Sequence, residues 1–451
     1  MCTSRGIILI DILLAMSLAT LFVVIISEST MNARDLFERS KERNRLLDIF
    51  EKTDRKDIET VDVLYGNDRI ETLFRVSSPE DKSEYPYAQN IFFQEVTKLP
   101  DVDTRTFAGT PLCAVDFSSN QVPMPHIVSI ALPIAASLPL TDLVVRHGTA
   151  YISTDSSTSA DPDVFTIDIR NKDEPRILDS LDTGPGISSL TLVRTKLYAA
   201  AASTAAQLHV VRIEKPDNLV LEDKYQIPLP TATTTPPFAS SIFYADGRVY
   251  LGTEKWNGEE FTIIDVSDDG ALIERGGFET GSKVSDIYVK GSGVFVATAG
   301  EKQVLLLDVS DIDTPILRSF LSPSGWQRQE GKKLAYFEEE LVLGRTSGGF
   351  NIAHDHELFA WASSSVHTND LVSPRATRDS AGGIYGIAVD RDLIYVVTHE
   401  LGKELQIFDS PFSTSTVRTF SLPVSPRTLT CDENKLYVLG QTAPVIYEIS
   451  F

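Results

Sequence analysis

A membrane-spanning α-helix followed by an all-β, seven-bladed β-propeller, closed by a strand from the propeller's own N-terminal side, is the fold the sequence predicts. Three observations predict it. An apolar run lies near the start. A short strand pattern then recurs seven times at blade spacing, and one spare strand stands just ahead of the first copy.

Residues 7–26 are predominantly apolar and carry one charge, Asp11. About twenty such residues cross a bilayer as one helix. A charge inside a span is costly unless it has a partner, so Asp11 calls for one. The preceding head, residues 1–6, is polar and carries Arg5, a basic flank that keeps its end cytoplasmic. From residue 28 to 54 the pattern turns amphipathic, with Met31, Phe37, Leu46, Leu47 and Phe50 among charges of both signs. One continuous helix over 7–53 is expected, with residues 7–26 in lipid.

Residues 57–76 read as a hairpin, V-D-V-L-Y and R-I-E-T-L-F-R-V around the turn G-N-D. Gly66, Asn67 and Asp68 are residue types that tolerate positive φ. Residues 77–90 are polar with two prolines and read as a loop. Residues 94–125 show little periodicity. The span 54–125 is therefore either a small head against the helix or a connector to the propeller at 126–451.

Seven strands share the form x-apolar-aromatic-apolar-small-x. They begin at Thr149, Lys196, Arg248, Gly293, Glu340, Leu393 and Lys435, at steps of 42 to 53 residues. That is the repeat length of propeller blades. A second column confirms the register. Six residues before each start stand Leu143, Leu190, Ile242, Ile287, Leu334, Ile387 and Leu429. Two further on stand Val145, Leu192, Tyr244, Val289, Tyr336, Val389 and Cys431. Apolar residues at period two are what a half-buried strand needs. The last repeat stops after a third strand, P-V-I-Y-E-I-S-F, while H-I-V-S-I-A-L-P at 126–133 has no blade of its own. Pairing residues 127–132 with 445–449 would complete the seventh blade and remove an open sheet edge.

Gly6, Ile7 and Asp11 together resemble the N-terminus of a type IV pilin or pseudopilin. The resemblance covers about the first fifty residues. It implies a leader, residues 1–6, cut after Gly6 by a membrane-embedded prepilin peptidase. Ile7 would become the N-methylated first residue and Asp11 the fifth. Ile7 replaces the commoner Phe, Asp11 the commoner Glu, and the leader is very short. A new N-terminus is a cation with a pKa of about 8, and a carboxylate one helical turn away, or on a neighbouring subunit, neutralises it. An uncleaved signal anchor is the other reading. A secretory signal peptide fits less well, because the apolar core exceeds a typical h-region.

The third strands and their turns, such as I-D-V-S-D-D-G at 264–270 and L-D-V-S-D-I-D-T-P at 307–315, resemble LVIVD-type propeller repeats over residues 138–451. Asp168, Asp265, Asp308 and Asp409 mark the turn, where a carboxylate can accept backbone N–H bonds. The match weakens at Arg212, Ala360 and Glu448.

A net charge of −22 over 451 residues argues against nucleic acid, whose phosphates need a basic face. There is no Walker loop, H-E-x-x-H or G-x-S-x-G elbow. His354 and His356, with His367 nearby, could share one strand face and hold a metal. The simpler reading, surface histidines on a divergent fifth blade, is the one expected, so no metal site is assigned to them. Asp155, Asp161 and Asp163 offer oxygens for calcium without the usual loop spacing. Cys431 sits in a core column, as a packing thiol or bridged to Cys113; Cys2 would leave with the leader. No cofactor is expected. The functional expectation is a minor pilin or pseudopilin in the envelope of a bacterium or archaeon. It would cross the cytoplasmic membrane once with its N-terminus on the cytoplasmic side, and its propeller would be an extracellular binding or adhesion head on a filament or the cell surface. Its partners would be the peptidase, other pilin subunits, the membrane and a surface protein or glycan. The alternatives are a membrane-anchored propeller hydrolase or lyase, and a signal-anchored envelope protein with no filament role.

Overall fold

The computed structural model describes residues 58–66, 69–76 and 125–451, apart from 156–160, 185, 230–235, 268–270, 324–328, 338–339, 347–355, 363–373, 381, 391–392, 409–417 and 433–434. The expected leader at 1–6, the helix at 7–53 with Gly6, Ile7 and Asp11, and the 77–124 segment lie outside the described residues. Among the described residues no helix is long and apolar enough to cross a membrane. The chain divides into two compact units, residues 1–103 and 104–451.

In the first unit, Ile58–Gly66 and Arg69–Val76 form an antiparallel pair from Ile58↔Val76 to Gly66↔Arg69, with a bulge between Val61 and Val63. This is the expected hairpin.

The second unit is a ring of seven four-stranded antiparallel sheets. The innermost strands are Leu140–Arg146, Ile187–Val193, Ala239–Ala245, Val284–Lys290, Gly331–Phe337, Ile384–Asp390 and Pro426–Asp432. Each touches the next, and the seventh touches the first, so the ring is closed around a central channel. The second strands keep the expected bounds: Thr149–Thr154, Lys196–Ala201, Arg248–Thr253, Gly293–Thr298, Glu340–Arg345, Leu393–Thr398 and Lys435–Gly440. Tight hairpins join first and second strands. His147-Gly148 and Asp246-Gly247 have positive φ at both central residues, 50° and 72°, then 51° and 76°. That is the two-residue type I′ geometry that suits twisted strands.

Closure occurs as expected. His126–Ala131 adds to Val445–Ser450 in antiparallel register, Ile127 opposite Ile449 and Ala131 opposite Val445, and Leu132 N donates to Pro444 O at 2.8 Å. Leu143, Leu190, Ile242, Ile287, Leu334, Ile387 and Leu429 are all buried, so the first apolar column is the interblade core. Each such side chain contributes about 1.5–3 kcal/mol on burial.

Two positions of the third strand need correction. Glu340 lies opposite Ala362 and Leu436 opposite Ile449. Ala362 and Ser450, two residues beyond Ala360 and Glu448, therefore hold the place that Asp265 and Asp308 hold elsewhere. Glu448 instead points its carboxylate at Lys172 Nζ, 2.6 Å away on blade one, and at Lys435 Nζ, 3.1 Å away.

Candidate functional site at the channel mouth

All seven innermost strands break register at the same place. The shift falls between Leu140 and Asp142, Ile187 and Ser189, Ala239 and Ser241, Val284 and Asp286, Gly331 and Lys333, Ile384 and Gly386, and Pro426 and Thr428. Each shift leaves one extra residue, and bulges of this kind re-aim side chains and often flank functional sites. The seven extra residues are Thr141, Ser188, Ser240, Ser285, Lys332, Tyr385 and Arg427. They form one ring where the innermost strands begin.

Hydroxyls on this ring tie one blade to the next. Thr141 Oγ1 donates to Ile187 O at 2.5 Å, and Ser240 Oγ donates to Val284 O at 2.6 Å. Ser285 sits at the same position, but its buried Oγ has no hydrogen-bond partner among the described residues. The neighbouring carboxylates are engaged. Asp142 Oδ2 accepts from Leu190 N at 2.9 Å and from Ser189 Oγ at 2.8 Å. Asp286 Oδ2 accepts from Leu334 N at 2.8 Å. In both cases the amide belongs to the next blade, so these acids are interblade staples. Burial pushes the Asp286 carboxyl up, while Lys333 and the Leu334 and Ile287 amides pull it down.

A second polar ring surrounds the first at the same end of the ring. The residue before each of six third strands is Asp163, Gln207, Glu260, Gln303, Glu357 or Glu404, and all six are buried. They bind the chain returning to the innermost strands. Asp163 accepts from Thr183 N at 2.8 Å and Gly186 N at 3.2 Å. Glu260 accepts from Thr280 N at 2.8 Å, Gln207 Oε1 from Ile227 N at 2.8 Å, and Glu404 from Leu422 N at 3.1 Å. Buried polar groups are costly unless bonded; each of these four makes such bonds, although the second oxygen of Glu260, Oε1, has no partner among the described residues. Sequence reasoning missed this column. Its signal was an acid or amide just before each of six third strands.

The remaining members of the inner ring are cationic or aromatic. Lys332 makes no hydrogen bond or ion pair among the described residues. Burial, then repulsion by Lys333, Lys283 and Arg427, pushes its ammonium down to about 8, with Glu330 opposing. Arg427 makes no ion pair among the described residues either; its Nε donates to Thr141 O at 3.4 Å. Lys283 pairs with Glu254, and Lys333 lies 3.9 Å from Asp286. Tyr385 stacks on His399 with centroids 3.5 Å apart, and His399 Nε2 bonds Pro426 O at 2.8 Å. Burial foremost, with Arg427 adding to it, lowers the His399 pKa.

Other residues singled out from the sequence lie elsewhere. His354 and His367 are outside the described residues. His356 is not on a strand; it precedes Leu358–Ala362, and its carbonyl accepts from Arg345 Nε at 3.1 Å and Nη2 at 2.6 Å. Among the described residues no group of three metal-ligating side chains exists. Asp163 is spent on the turn already described, and Asp155 is exposed. Cys431 lies in a core cluster with Leu429, Leu436 and Ile449 and is disulfide-bonded. The other cysteines, Cys2 and Cys113, are outside the described residues. Asp168 and Asp308 act as turn residues: Arg170 N donates to Asp168 at 3.0 Å and Ser310 N to Asp308 at 2.8 Å. Asp265 binds Arg248 Nε at 2.8 Å instead, and Asp409 is outside the described residues.

No protein-family model matches the sequence, and no curated protein sequence matches it. Solved structures do share the fold. Virginiamycin B lyase from Staphylococcus aureus aligns with a TM-score of 0.50 at 13% identity, covering 73% of this chain and 100% of that one. A catalytically inactive form of that lyase with quinupristin aligns at 0.51 and 13% identity over the same shares, 73% and 100%. Raptor from Chaetomium thermophilum aligns at 0.53 and 12% identity, covering 72% of this chain and 28% of that one. At these identities the likeness shows a β-propeller and leaves its ligand open.

Proposed function

We propose that this chain is a minor pilin or pseudopilin of a type IV filament system that displays its propeller as an extracellular binding head. Gly6, Ile7 and Asp11 support the anchor: a cleavage site, a new N-terminus, and a carboxylate to neutralise it within apolar surroundings. The disulfide at Cys431 agrees with an oxidising exterior. One observation carries the binding reading. At the channel mouth Asp142 and Asp286 are engaged between blades, while Lys332 and Arg427 have no counter-ion among the described residues. The commonest general acids and bases are imidazoles and carboxylates free to move a proton, and here Asp142, Asp286 and His399 are each held by a hydrogen bond. This mouth instead presents cations and hydroxyls, groups that hold a ligand. The partners on this reading are a prepilin peptidase, other pilin subunits and a ligand outside the cell.

The test is incorporation. Asp11→Ala is expected to insert in the membrane and fold, yet be missing from sheared filaments by immunoblot. Normal incorporation would remove the charge-pairing role and with it the pilin reading. Turnover of any member of a hydrolase or lyase substrate panel would favour the propeller-enzyme reading instead.

A further inference from the structure

We propose that the channel mouth is an oxyanion-binding site, in which Lys332 and Arg427 together hold one carboxylate, phosphate or sulfate group of the ligand. It deepens the binding-head reading and rests on it, but it does not depend on the anchor.

The repeat supplies the reason. The extra residue of the bulge is Thr or Ser in blades one to four, and Thr141 and Ser240 show what a hydroxyl does there: it ties neighbouring blades together. Lysine in blade five is not explained by that role, and arginine in blade seven meets it only through one long bond, Nε to Thr141 O of blade one at 3.4 Å. Among the described residues Lys332 makes no hydrogen bond or ion pair, and Arg427 makes only that long hydrogen bond to a carbonyl. A partly buried ammonium without a counter-ion is unfavourable. Three more cations repel it, two of them, Lys283 and Lys333, already drawn toward Glu254 and Asp286. In a chain of net charge −22, two uncompensated cations on one ring form a local field of opposite sign. An oxyanion supplies the missing counter-charge to both. Arginine accepts it with its planar fork and lysine as a point charge. Ser285, on blade four and next to Lys332 in ring order, carries a buried hydroxyl with no partner among the described residues.

The groups that set the site's pH response are Lys283, Lys333, Arg427, His399, Glu254, Glu330 and Asp286. Lys332 titrates near 8 when the site is empty. A bound anion favours its charged form and raises that value. Binding should therefore weaken as pH rises through 8, and should take up protons at alkaline pH.

The experiment is calorimetric titration of the full chain in detergent micelles with sodium phosphate, sulfate and citrate, at constant ionic strength, at pH 7 and pH 9.5. Saturable binding of at least one anion is expected, weaker by roughly tenfold at pH 9.5. The preferred anion separates the sources: citrate points to carboxylate ligands, phosphate or sulfate to esterified ones. Lys332→Gln and Arg427→Gln should each abolish saturation, while Lys215→Gln, on an exposed strand end, should leave it unchanged. Circular dichroism on each variant establishes that it is folded. Non-saturating binding, or equal loss in Lys215→Gln, would overturn the proposal. The Asp11→Ala incorporation assay is independent of this titration, so failure of the site and failure of the filament reading give different results.

Discussion

Blade four and blade five use the same two positions of the repeat in opposite ways. Blade four places Ser285 and Asp286 there; blade five places Lys332 and Lys333. The Asp286 carboxylate reaches the Leu334 amide of blade five and closes the seam between the blades. The Lys332 ammonium reaches nothing among the described residues and is depressed by its neighbours. The difference separates polar residues that finish the protein from polar residues that await something else. A repeat makes the separation visible, because each position has six internal controls.

The largest effect expected from that distinction is at Asp286. Asp286→Ala strands the Leu334 N–H in a buried seam and leaves Lys333 without its carboxylate. A loss of about 2–3 kcal/mol in urea unfolding is expected. A loss below about 0.5 kcal/mol would mean that the seam does not depend on its staple, and the contrast between the two blades would fall.

A smaller effect belongs to carboxylates at the edge of the blades. Asp308 is held at about 2 by the Ser310 amide first, and by Arg318. Its folded pKa lies below the unfolded value of about 3.9. Its stabilisation is therefore full above pH 4 and is lost as pH falls through about 2. Because the group is near the surface, Asp308→Asn should cost about 1 kcal/mol at pH 7. Wild type and variant should converge in acid; a pH-independent difference would show that the charge is not what matters.

The smallest effect on stability is expected at the residue with the largest expected effect on binding. Lys332→Met removes an uncompensated cation and keeps a long apolar stem, so stability should be unchanged or slightly raised. Thermal unfolding of the anion-free chain measures this. A destabilisation above about 1 kcal/mol would reveal a structural partner for Lys332 and place it with Asp286.

Much of the fold was legible because strands with one buried face repeat at period two. The starts at Thr149, Arg248 and Leu393 coincide with the strands observed, and so does the closing pair of residues 126–131 with 445–450. Period two also explains the errors. Sliding a strand by two residues leaves its apolar pattern intact, which is why Ala360 and Glu448 stood in for Ala362 and Ser450. The channel mouth was not legible. Its residues are the extra ones of a bulge, and a bulge breaks the period by which columns are counted. The buried acids and amides before the third strands were hidden for a different reason. Asp163 and Glu260 look like loop polarity until the fold brings Thr183 and Thr280 against them.

The claim on which the functional account turns is that a propeller rides on a processed, pilin-like helix. Mass spectrometry of the mature N-terminal peptide from envelope fractions tests it most directly. The account predicts a peptide starting at Ile7 with one methyl group on its α-amine. A peptide starting at Met1 or Cys2, with the leader still attached in assembled material, would contradict it.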